Sequence, residues 1–248
     1  MSFPEYGIRP DWPAPENVRS LQTIRIGGVS PSPYDSFNLG DHVGDAPQAV
    51  AQNRQQLAAL MPSEPVWLQQ VHGTLVADAD NAGCLIQADA AFARRRGTVC
   101  VVMTADCLPV LLCDEAGSAV AAVHAGWKGL AAGVIESAVA AIGVAPHKLL
   151  AWLGPAISQR AFEVGEDVRT TFMAHDVQAA EAFIAASHVG GVDKYFADIY
   201  LLARQRLHAL GVQQIYGGEH CTYSNSERYF SYRRDSVTGR MGSFIWLE

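Results

Sequence analysis

The chain has 248 residues, of which 49% are hydrophobic and 17% are charged, so it holds enough apolar material for a folded core. Its formal net charge is −7 and its longest basic run covers only 94–96, which argues against a nucleic-acid surface as the main function. The first residues lack the basic and apolar segments of a secretory signal, and no apolar run is long enough to cross a membrane. Together with the odd number of cysteines, these features predict a cytoplasmic protein with reduced thiols and no membrane partner.

The N-terminal part of the chain predicts a strand, a polar loop, a helix and a second strand. The first strand covers 21–26, and a loop rich in Ser, Pro, Asn and Gly covers 29–45. Apolar residues at helical spacing, with a proline at the start, predict a helix over 47–60. A short strand at 65–70 then leads directly to His72.

The rest of the chain alternates apolar strands with helices that end at turn residues. In the middle, the pattern predicts strands at 98–103, 110–113 and 119–123, an Ala-rich helix at 130–142 and a strand at 149–153. Towards the C-terminus, it predicts helices at 165–174, 178–187 and 197–210, the last closed by Gly211, and strands at 213–217 and 241–247. Because no linker-like break interrupts this order, we expect one mixed α/β (α+β) domain over 1–248.

Three side chains with metal-binding chemistry lie beside small residues near the ends of predicted strands: His72, Cys107 and His124. No pair of them has the short spacing of a local zinc clip, so the fold would have to bring them together. Three N and S ligands with an open fourth position are typical of catalytic zinc, which lowers the pKa of a bound water toward about 7. The pattern therefore predicts a zinc site at these three residues, with copper as the alternative ion.

The same region contains candidate catalytic groups, namely Asp106, Cys107 and His124. Asp106 is predicted to be a general base or an acceptor that fixes a histidine tautomer, and Asp89 is a weaker candidate of the same kind. An ordinary turn aspartate is the competing interpretation. We expect the remaining cysteines to be small buried hydrophobic residues: Cys84, Cys100, Cys113 and Cys221.

Several polar residues are predicted to bind the substrate, including a phosphate or carboxylate group. Lys128 lies at a predicted helix start, where free N–H groups favour an anion. The other candidates for contacts with phosphate, a sugar or a leaving group are Arg25, Asn38, His42 and Arg233. Helix capping, an Asx-rich turn and structural ion pairs are the competing interpretations.

Several familiar signatures do not occur in the sequence. It contains no nucleotide phosphate loop, no dinucleotide fingerprint, no nucleophile elbow and no zinc deaminase signature. None of its eight histidines forms an H-x-H pair. A trinuclear copper centre needs paired histidines, so the sequence does not favour a true multicopper oxidase.

In combination, five segments resemble the YfiH family: R-I-G-G-V-S at 25–30, N-L-G at 38–40, Q-V-H-G at 70–73, T-A-D-C-L-P at 104–109 and H-A-G-W-K-G at 124–129. This family is also labelled laccase-domain or polyphenol oxidase, and one bacterial branch is called the peptidoglycan editing factor. Matches at 152–157, 162–164 and 230–235 extend the resemblance over essentially the whole chain.

The resemblance implies a four-layer sandwich of mixed β-sheets flanked by helices. It also implies a metal site at His72, Cys107 and His124, usually taken as zinc. The implied activities are phosphorolysis of adenosine, inosine and methylthioadenosine, and deamination of adenosine. Lys128 stands where many members carry Arg, which keeps the charge but loses the bidentate fork.

These observations leave several functions open. The leading interpretation is a zinc-dependent purine nucleoside enzyme that acts on small nucleosides with phosphate, as a monomer or weak homodimer. A second is an amidase for cytoplasmic wall precursors, in which Cys107 is a zinc ligand or a nucleophile paired with His124. A third is copper-dependent polyphenol oxidation, and a fourth is a non-catalytic module that binds metal or nucleotide.

Overall fold

Two β-sheets stack face to face in the structure, a computed structural model that describes residues 7–83, 86–189 and 192–248. The strands within these residues are β1 (Gly7–Ile8), β2 (Val18–Thr23), β3 (Leu68–Gln69), β4 (Val76–Asp78), β5 (Ile86–Gln87), β6 (Ala90–Ala93), β7 (Cys100–Thr104), β8 (Leu108–Asp114), β9 (Val120–Ala125), β10 (Leu149–Leu153), β11 (Glu163–Gly165), β12 (Phe183–Val189), β13 (Val192–Ala197), β14 (Gln214–Gly217) and β15 (Met241–Leu247). The α-helices are α1 (Pro47–Ala58), α2 (Trp127–Ala132), α3 (Val134–Ile142), α4 (Glu166–Met173), α5 (Ile199–Leu210) and α6 (Tyr232–Asp235).

The larger of the two stacked sheets has the strand order β14-β10-β8-β9-β6-β4 in the described residues. Its neighbouring strands run antiparallel, except that β14 is parallel to β10 and β4 is parallel to β6. The smaller stacked sheet is antiparallel and has the order β1-β2-β15-β7. Strands β11, β13 and β12 form a further sheet, and β3 pairs with β5.

The buried side chains of β8 show how the sequence specifies two hydrophobic cores. Successive side chains of a strand point to opposite faces. Val110 and Leu112 therefore join the core beneath the helices, whereas Leu111 and Cys113 join the core between the two sheets. Both faces of this strand are buried, which explains why it is a continuous apolar run in the sequence.

Helices cover the outer faces of both stacked sheets. The larger sheet is covered by α2, α3, α4 and α5, and their buried residues share one apolar cluster with it. On the opposite side, Leu57 of α1 and Phe37 of the preceding loop pack with Phe244 of β15. The order of helix, sheet, sheet and helix confirms the expected mixed α/β architecture with sheets flanked by helices.

The helix predicted at 130–142 is divided in the structure into α2 and α3. Gly133 separates them with a φ of 99°, and it caps both helices. A residue with a side chain rarely adopts this left-handed conformation, whereas glycine does so at little cost. The helical spacing continues on both sides of the break, so apolar periodicity alone did not reveal it.

The helix predicted at 178–187 is wrong. Residues Val177–Ala182 form a 3₁₀ helix, and the chain then becomes strand β12. Strand β12 pairs antiparallel with β13, and this pairing satisfies the backbone hydrogen-bonding groups on the facing edges of the two strands. The partner strand was itself not predicted. The sequence therefore shows no sign of the strand pairing that overrides the local helix propensity of the Ala-rich segment.

The other predicted helices and strands are present; the strands at 149–153 and 241–247 have the predicted bounds, and the remaining elements have shifted ends. The first predicted strand, for example, covers Val18–Thr23 rather than 21–26. Cys100 and Cys113 are buried as predicted, Cys221 is half-buried, and Cys84 lies outside the described residues. In the part of the chain that is described, no helix combines the length and the hydropathy that crossing a membrane requires.

Candidate metal centre

The open end of the β8–β9 pair carries two of the three predicted ligands. In the antiparallel register, Leu108 lies opposite Ala125 and Pro109 lies opposite His124. Cys107 directly precedes β8, so its side chain and that of His124 meet at the same edge of the sheet. Hydrogen bonding between the two strands therefore brings together Cys107 and His124, which are not close in the sequence.

His72 completes the cluster from the loop that follows β3. The ligand atoms of His72, Cys107 and His124 all lie within 4.8 Å of one another. The Cys107 Sγ atom is 3.8 Å from Nε2 of His72, and the two imidazole rings meet edge to face with 4.8 Å between their centroids. Exposure rises from His124, which is buried, through Cys107 to His72, which is exposed, so the cluster opens to solvent on one side.

Asp89 is the residue that organises this cluster. It lies just before β6 and next to His124 on β9, and its side chain is fully buried. Its Oδ1 atom is 2.8 Å from His124 Nδ1, and its two oxygens accept the backbone N–H groups of His72, at 2.9 Å, and Gly73, at 2.7 Å. One carboxylate therefore fixes both the His124 ring and the loop that carries His72.

Gly126 forms one wall of the cluster. A Cβ atom at this position would lie 2.9 Å from His72 Cδ2, 3.0 Å from Cys107 Sγ and 3.5 Å from His124 Nε2. The absence of a side chain there leaves the space in which the three ligand atoms converge. His72 and Asp106 both have positive φ values, 60° and 95°, a sign of backbone strain concentrated at this site.

The electrostatics of the cluster favour a thiolate. Burial alone would raise the pKa of the Cys107 thiol, but the neighbouring His124, and after it His72, lower that pKa to about 6. Burial likewise opposes the charged form of His124, but Cys107 and the hydrogen bond to Asp89 raise its pKa to about 9. Without a metal ion, both shifts favour a thiolate at Cys107 and an imidazolium at His124.

The donor set fits an ion that prefers nitrogen and sulfur ligands. Asp89 occupies Nδ1 of His124, which leaves Nε2 facing Cys107 and His72. A thiolate and two imidazoles are ligands that Zn²⁺ prefers, and three protein ligands leave a fourth position for a substrate or water. The anionic Asp89 also matches the carboxylate that commonly supports a metal-bound histidine.

Asp106 is turned away from the histidines. Its Oδ1 accepts the Thr222 hydroxyl at 2.6 Å, and its Oδ2 accepts the backbone N–H of Arg233 at 2.7 Å. These contacts join the Cys107 loop to the C-terminal part of the chain. Asp106 was predicted either as a general base or as an acceptor for a ligand histidine, and the second of these roles is taken by Asp89, the weaker candidate.

Arg25 and Asn38 are used by the protein itself. Arg25 donates to the Asp35 carbonyl and carboxylate and to the Ser226 carbonyl, and it lines a separate cavity of about 460 Å³. Asn38 is fully buried, and its amide makes hydrogen bonds to Gly40, Asp45 and Arg240. The structure therefore brings neither side chain to the ligand cluster.

The remaining predicted substrate-binding residues are exposed. Lys128 lies in the first turn of α2, two residues after Gly126, with Nζ 5.7 Å from the Trp127 ring centroid. His42 lies beside Asp41, and partial desolvation by the surrounding loop, followed by the charge of Arg240, lowers its pKa. Arg233 donates to the Glu163 carbonyl at 3.0 Å.

Two residues of the site were missed or ranked low by sequence reasoning, Asp89 and Arg240. The role of Asp89 depends on strand β6, which was not predicted because four consecutive small or apolar residues give a weak strand signal. Arg240 lies directly before β15, whose first residue, Met241, pairs with Thr104 near the start of the Cys107 loop. Only the pairing of distant strands reveals either placement.

The fold and the site together define a class of protein, a layered α/β sandwich with a three-residue N/S centre at the edge of its larger sheet. A family model described as "Multi-copper polyphenol oxidoreductase laccase" matches residues 19–248. Proteins named "Purine nucleoside phosphorylase YfiH" from Shigella flexneri and from Escherichia coli K12 are each 56% identical, over 97% of this chain and 98% of theirs. The chain therefore belongs to the YfiH family, which confirms the resemblance seen in the sequence.

Solved structures of relatives have the same fold. The crystal structure of Neisseria meningitidis protein NMB0706 matches with a TM-score of 0.93 and 49% identity, over 98% of this chain and 100% of that chain. The crystal structure of YlmD from Geobacillus stearothermophilus matches with a TM-score of 0.92 and 27% identity, over 100% of this chain and 98% of that chain. The sandwich is therefore kept across relatives of widely different sequence.

Proposed function

We propose that this protein is a zinc-dependent purine nucleoside phosphorylase. The observation that carries the proposal is the open N/S cluster of His72, Cys107 and His124 in a chain 56% identical to proteins named as such phosphorylases. The proposed substrates are inosine, adenosine and S-methyl-5'-thioadenosine, each with inorganic phosphate. The products would be the free base and ribose 1-phosphate or its methylthio analogue.

In this reaction, a phosphate oxygen forms a bond to the anomeric carbon of the ribose while the bond from that carbon to the purine nitrogen breaks. The bonding electrons leave with the purine, which takes up a proton. When bound, Zn²⁺ would supply a Lewis acid beside the reacting groups. The protein's part is to hold the two substrates in line and to provide positive charge for the phosphate.

The hydrogen bonds of the site support a role for the protein in positioning the ligands and the substrates. Asp89 holds His124 with Nε2 directed toward the cluster, and it fixes the backbone on either side of His72. The exposed side of the cluster gives a substrate access to Cys107 and His72. Asp106 stays a candidate for a direct catalytic role, although both of its oxygens accept hydrogen bonds from the protein.

We extend the proposal to the deamination of adenosine, in which water adds at C6 of the purine and ammonia leaves. The same open cluster could bind the purine edge where this reaction occurs. The family resemblance supports this second activity. Kinetics of both reactions on one metal-quantified preparation would test whether a single centre serves them.

An amidase is the alternative that a specific observation favours. Asp89 is hydrogen-bonded to His124, and His124 interacts with Cys107. This is the arrangement of a cysteine nucleophile, its base and the carboxylate that orients the base. A polyphenol oxidase is the activity in the description of the family model. Within the described residues, His72, Cys107 and His124 are the one cluster of such ligands found, and a single copper cannot by itself reduce oxygen by four electrons.

The proposal predicts that inosine is split only in the presence of phosphate. Metal-quantified protein should release hypoxanthine and ribose 1-phosphate in equal amounts, and omission of phosphate should abolish both products. Parallel reactions with adenosine alone, a muramoyl peptide and a phenol would measure the alternatives, with product identification by mass spectrometry. Amide cleavage or phenol oxidation without any phosphate-dependent release of base would contradict the proposal.

A further inference from the structure

Arg240 is a cation near the ligand cluster, and no role was predicted for it from the sequence. It directly precedes β15, and the pairing of Met241 with Thr104 places it near the loop that carries Asp106 and Cys107. The same side chain influences His42, whose pKa its charge lowers. Arg240 is therefore within electrostatic reach of both the Cys107 loop and the exposed His42.

The backbone and the stem of Arg240 are held in place. Its N–H donates to Asn38 Oδ1 at 2.8 Å, and its carbonyl accepts the N–H of Leu39 at 3.1 Å. A Cβ atom at Gly40 would lie only 2.8 Å from the Arg240 Cγ atom, so the stem lies directly on the backbone there. Asn38, predicted to bind substrate, thus acts on the site by positioning Arg240.

The guanidinium group is only partly used by the protein. Its Nη1 donates to the carbonyls of Thr238 and Gly239, both at 3.0 Å, and its Cζ lies 5.9 Å from the Tyr232 ring centroid. Across the described part of the chain, Nε and Nη2 have no protein acceptor, and no carboxylate forms an ion pair with the group. Two nitrogen atoms of a positively charged fork, Nε and Nη2 with three N–H groups between them, are left for a ligand.

The charge balance around Arg240 favours an anion. Burial lowers the pKa of Arg240, and the nearby Cys107 and Asp106 offset this only in part. The guanidinium group has neutral carbonyl partners but forms no ion pair within the described residues, so an anion bound to its remaining N–H groups would supply a counter-charge. Arg25, by contrast, already has Asp35 as its partner.

We propose that Arg240 binds the phosphate substrate, through the free edge of its guanidinium group. The chemical class of ligand is a tetrahedral oxyanion, which such a fork binds with two parallel charge-assisted hydrogen bonds. The proposal rests on the proposed phosphorolysis for the identity of the anion. Its position near Cys107 would place the phosphate next to a nucleoside at the ligand cluster.

The test measures phosphate affinity and phosphate kinetics separately. Inorganic phosphate is titrated calorimetrically into the metal-loaded protein, and the phosphate KM is measured with inosine as the second substrate. Arg240→Met should raise the phosphate Kd and the phosphate KM by about 10- to 100-fold, the loss expected for charge-assisted hydrogen bonds. The inosine KM should stay within about twofold of the wild-type value. Arg240→Lys keeps the charge without the fork, so its phosphate affinity should lie between those of the wild type and Arg240→Met.

Arg94→Met is the matched control. Arg94 also donates to two backbone carbonyls, those of Ala141 and Ile142, and lies over an aromatic ring, that of Phe92. It follows the end of β6 that is opposite to Asp89, so its loss should leave phosphate affinity unchanged. Melting temperatures would show whether each variant folds. If Arg240→Met does not fold, the phosphate affinity of Arg240→Lys is the test of the proposal.

The outcomes separate this proposal from the proposed function. If phosphate binds to the wild type and is lost in Arg240→Met while no nucleoside is split, the anion site stands and the phosphorolysis is wrong. If phosphorolysis proceeds with an unchanged phosphate KM in folded Arg240 variants, the function stands and the role of Arg240 is overturned. Failure of the wild type to bind phosphate at all would also overturn it.

Discussion

Replacing Cys107 by alanine is expected to remove the metal ion from the purified protein. The wild type should carry about one zinc per chain, and the variant should bind zinc about 10³-fold more weakly, because a loss of one ligand of three removes a large share of a binding free energy of about 10–16 kcal/mol. His124→Ala should have a similar effect. Elemental analysis and titration against a chelator of known affinity would measure both.

Cys221→Ala is the control for the loss of a thiol. Cys221 is also partly exposed, and it accepts a hydrogen bond from Ser158 Oγ at 3.0 Å, but it is not part of the ligand cluster. This variant should keep its zinc. Full zinc occupancy in folded Cys107→Ala and His124→Ala proteins would show that the ion binds elsewhere or that no such centre exists.

Replacing Asp89 by asparagine is expected to weaken zinc binding by about 10- to 100-fold, the usual cost of removing a carboxylate that supports a metal-bound histidine. Asparagine has one oxygen in place of two, and its NH₂ group would oppose the N–H groups of Val71 and Gly73. The variant should also unfold more easily. Competition with a chelator and thermal unfolding would measure the two effects.

The pH dependence of this contribution has a defined sign. Burial raises the pKa of Asp89, but the hydrogen bonds from His124 and Gly73 outweigh it and leave the pKa below its ordinary value. The carboxylate therefore stabilises the fold at neutral pH, and this stabilisation is lost as the pH falls through the lowered pKa. The difference in stability between wild type and Asp89→Asn should shrink under acidic conditions.

Asp114→Asn is the matched control for Asp89→Asn. Asp114 is likewise buried, and it accepts hydrogen bonds from the N–H groups of Ser118 and Ala119 and from the Ser118 hydroxyl, at the other end of β8. Its replacement should lower stability but leave zinc affinity unchanged. Equal zinc affinities for Asp89→Asn and the wild type would contradict the organising role of Asp89.

The three residues of the candidate metal site could be identified from the sequence because their chemistry is local. His72, Cys107 and His124 each stand among small residues beside an apolar run, and these features are visible without any tertiary information. The strands next to them were also predicted, because β8 and β9 are buried on both faces and are therefore largely apolar, with Asp114 and His124 as their polar residues. What remained open was which acidic and basic side chains would accompany the ligands.

Those accompanying residues depend on contacts between distant segments. Asp89 reaches His124 because β6 pairs with β9, and Arg240 reaches the Cys107 loop because β15 pairs with β7. Asp106, adjacent to Cys107 in sequence, is instead directed toward Thr222 by a backbone with positive φ. Adjacency to Cys107 in the sequence favoured Asp106 as an acceptor for a histidine, whereas Asp89 makes that contact in the structure. Strand β12 was missed for a different reason, because its Ala-rich sequence favours a helix locally and its partner β13 was not predicted either.

X-ray absorption at the zinc edge of the purified holoprotein tests the central claim most directly. The structure predicts one sulfur ligand at about 2.3 Å and two histidine nitrogens at about 2.0–2.1 Å, with a further light atom in the open position. The Cys107→Ala protein, reconstituted with excess zinc, should show no sulfur ligand. A wild-type spectrum without sulfur, or with two or more sulfur ligands, would contradict a centre built from His72, Cys107 and His124.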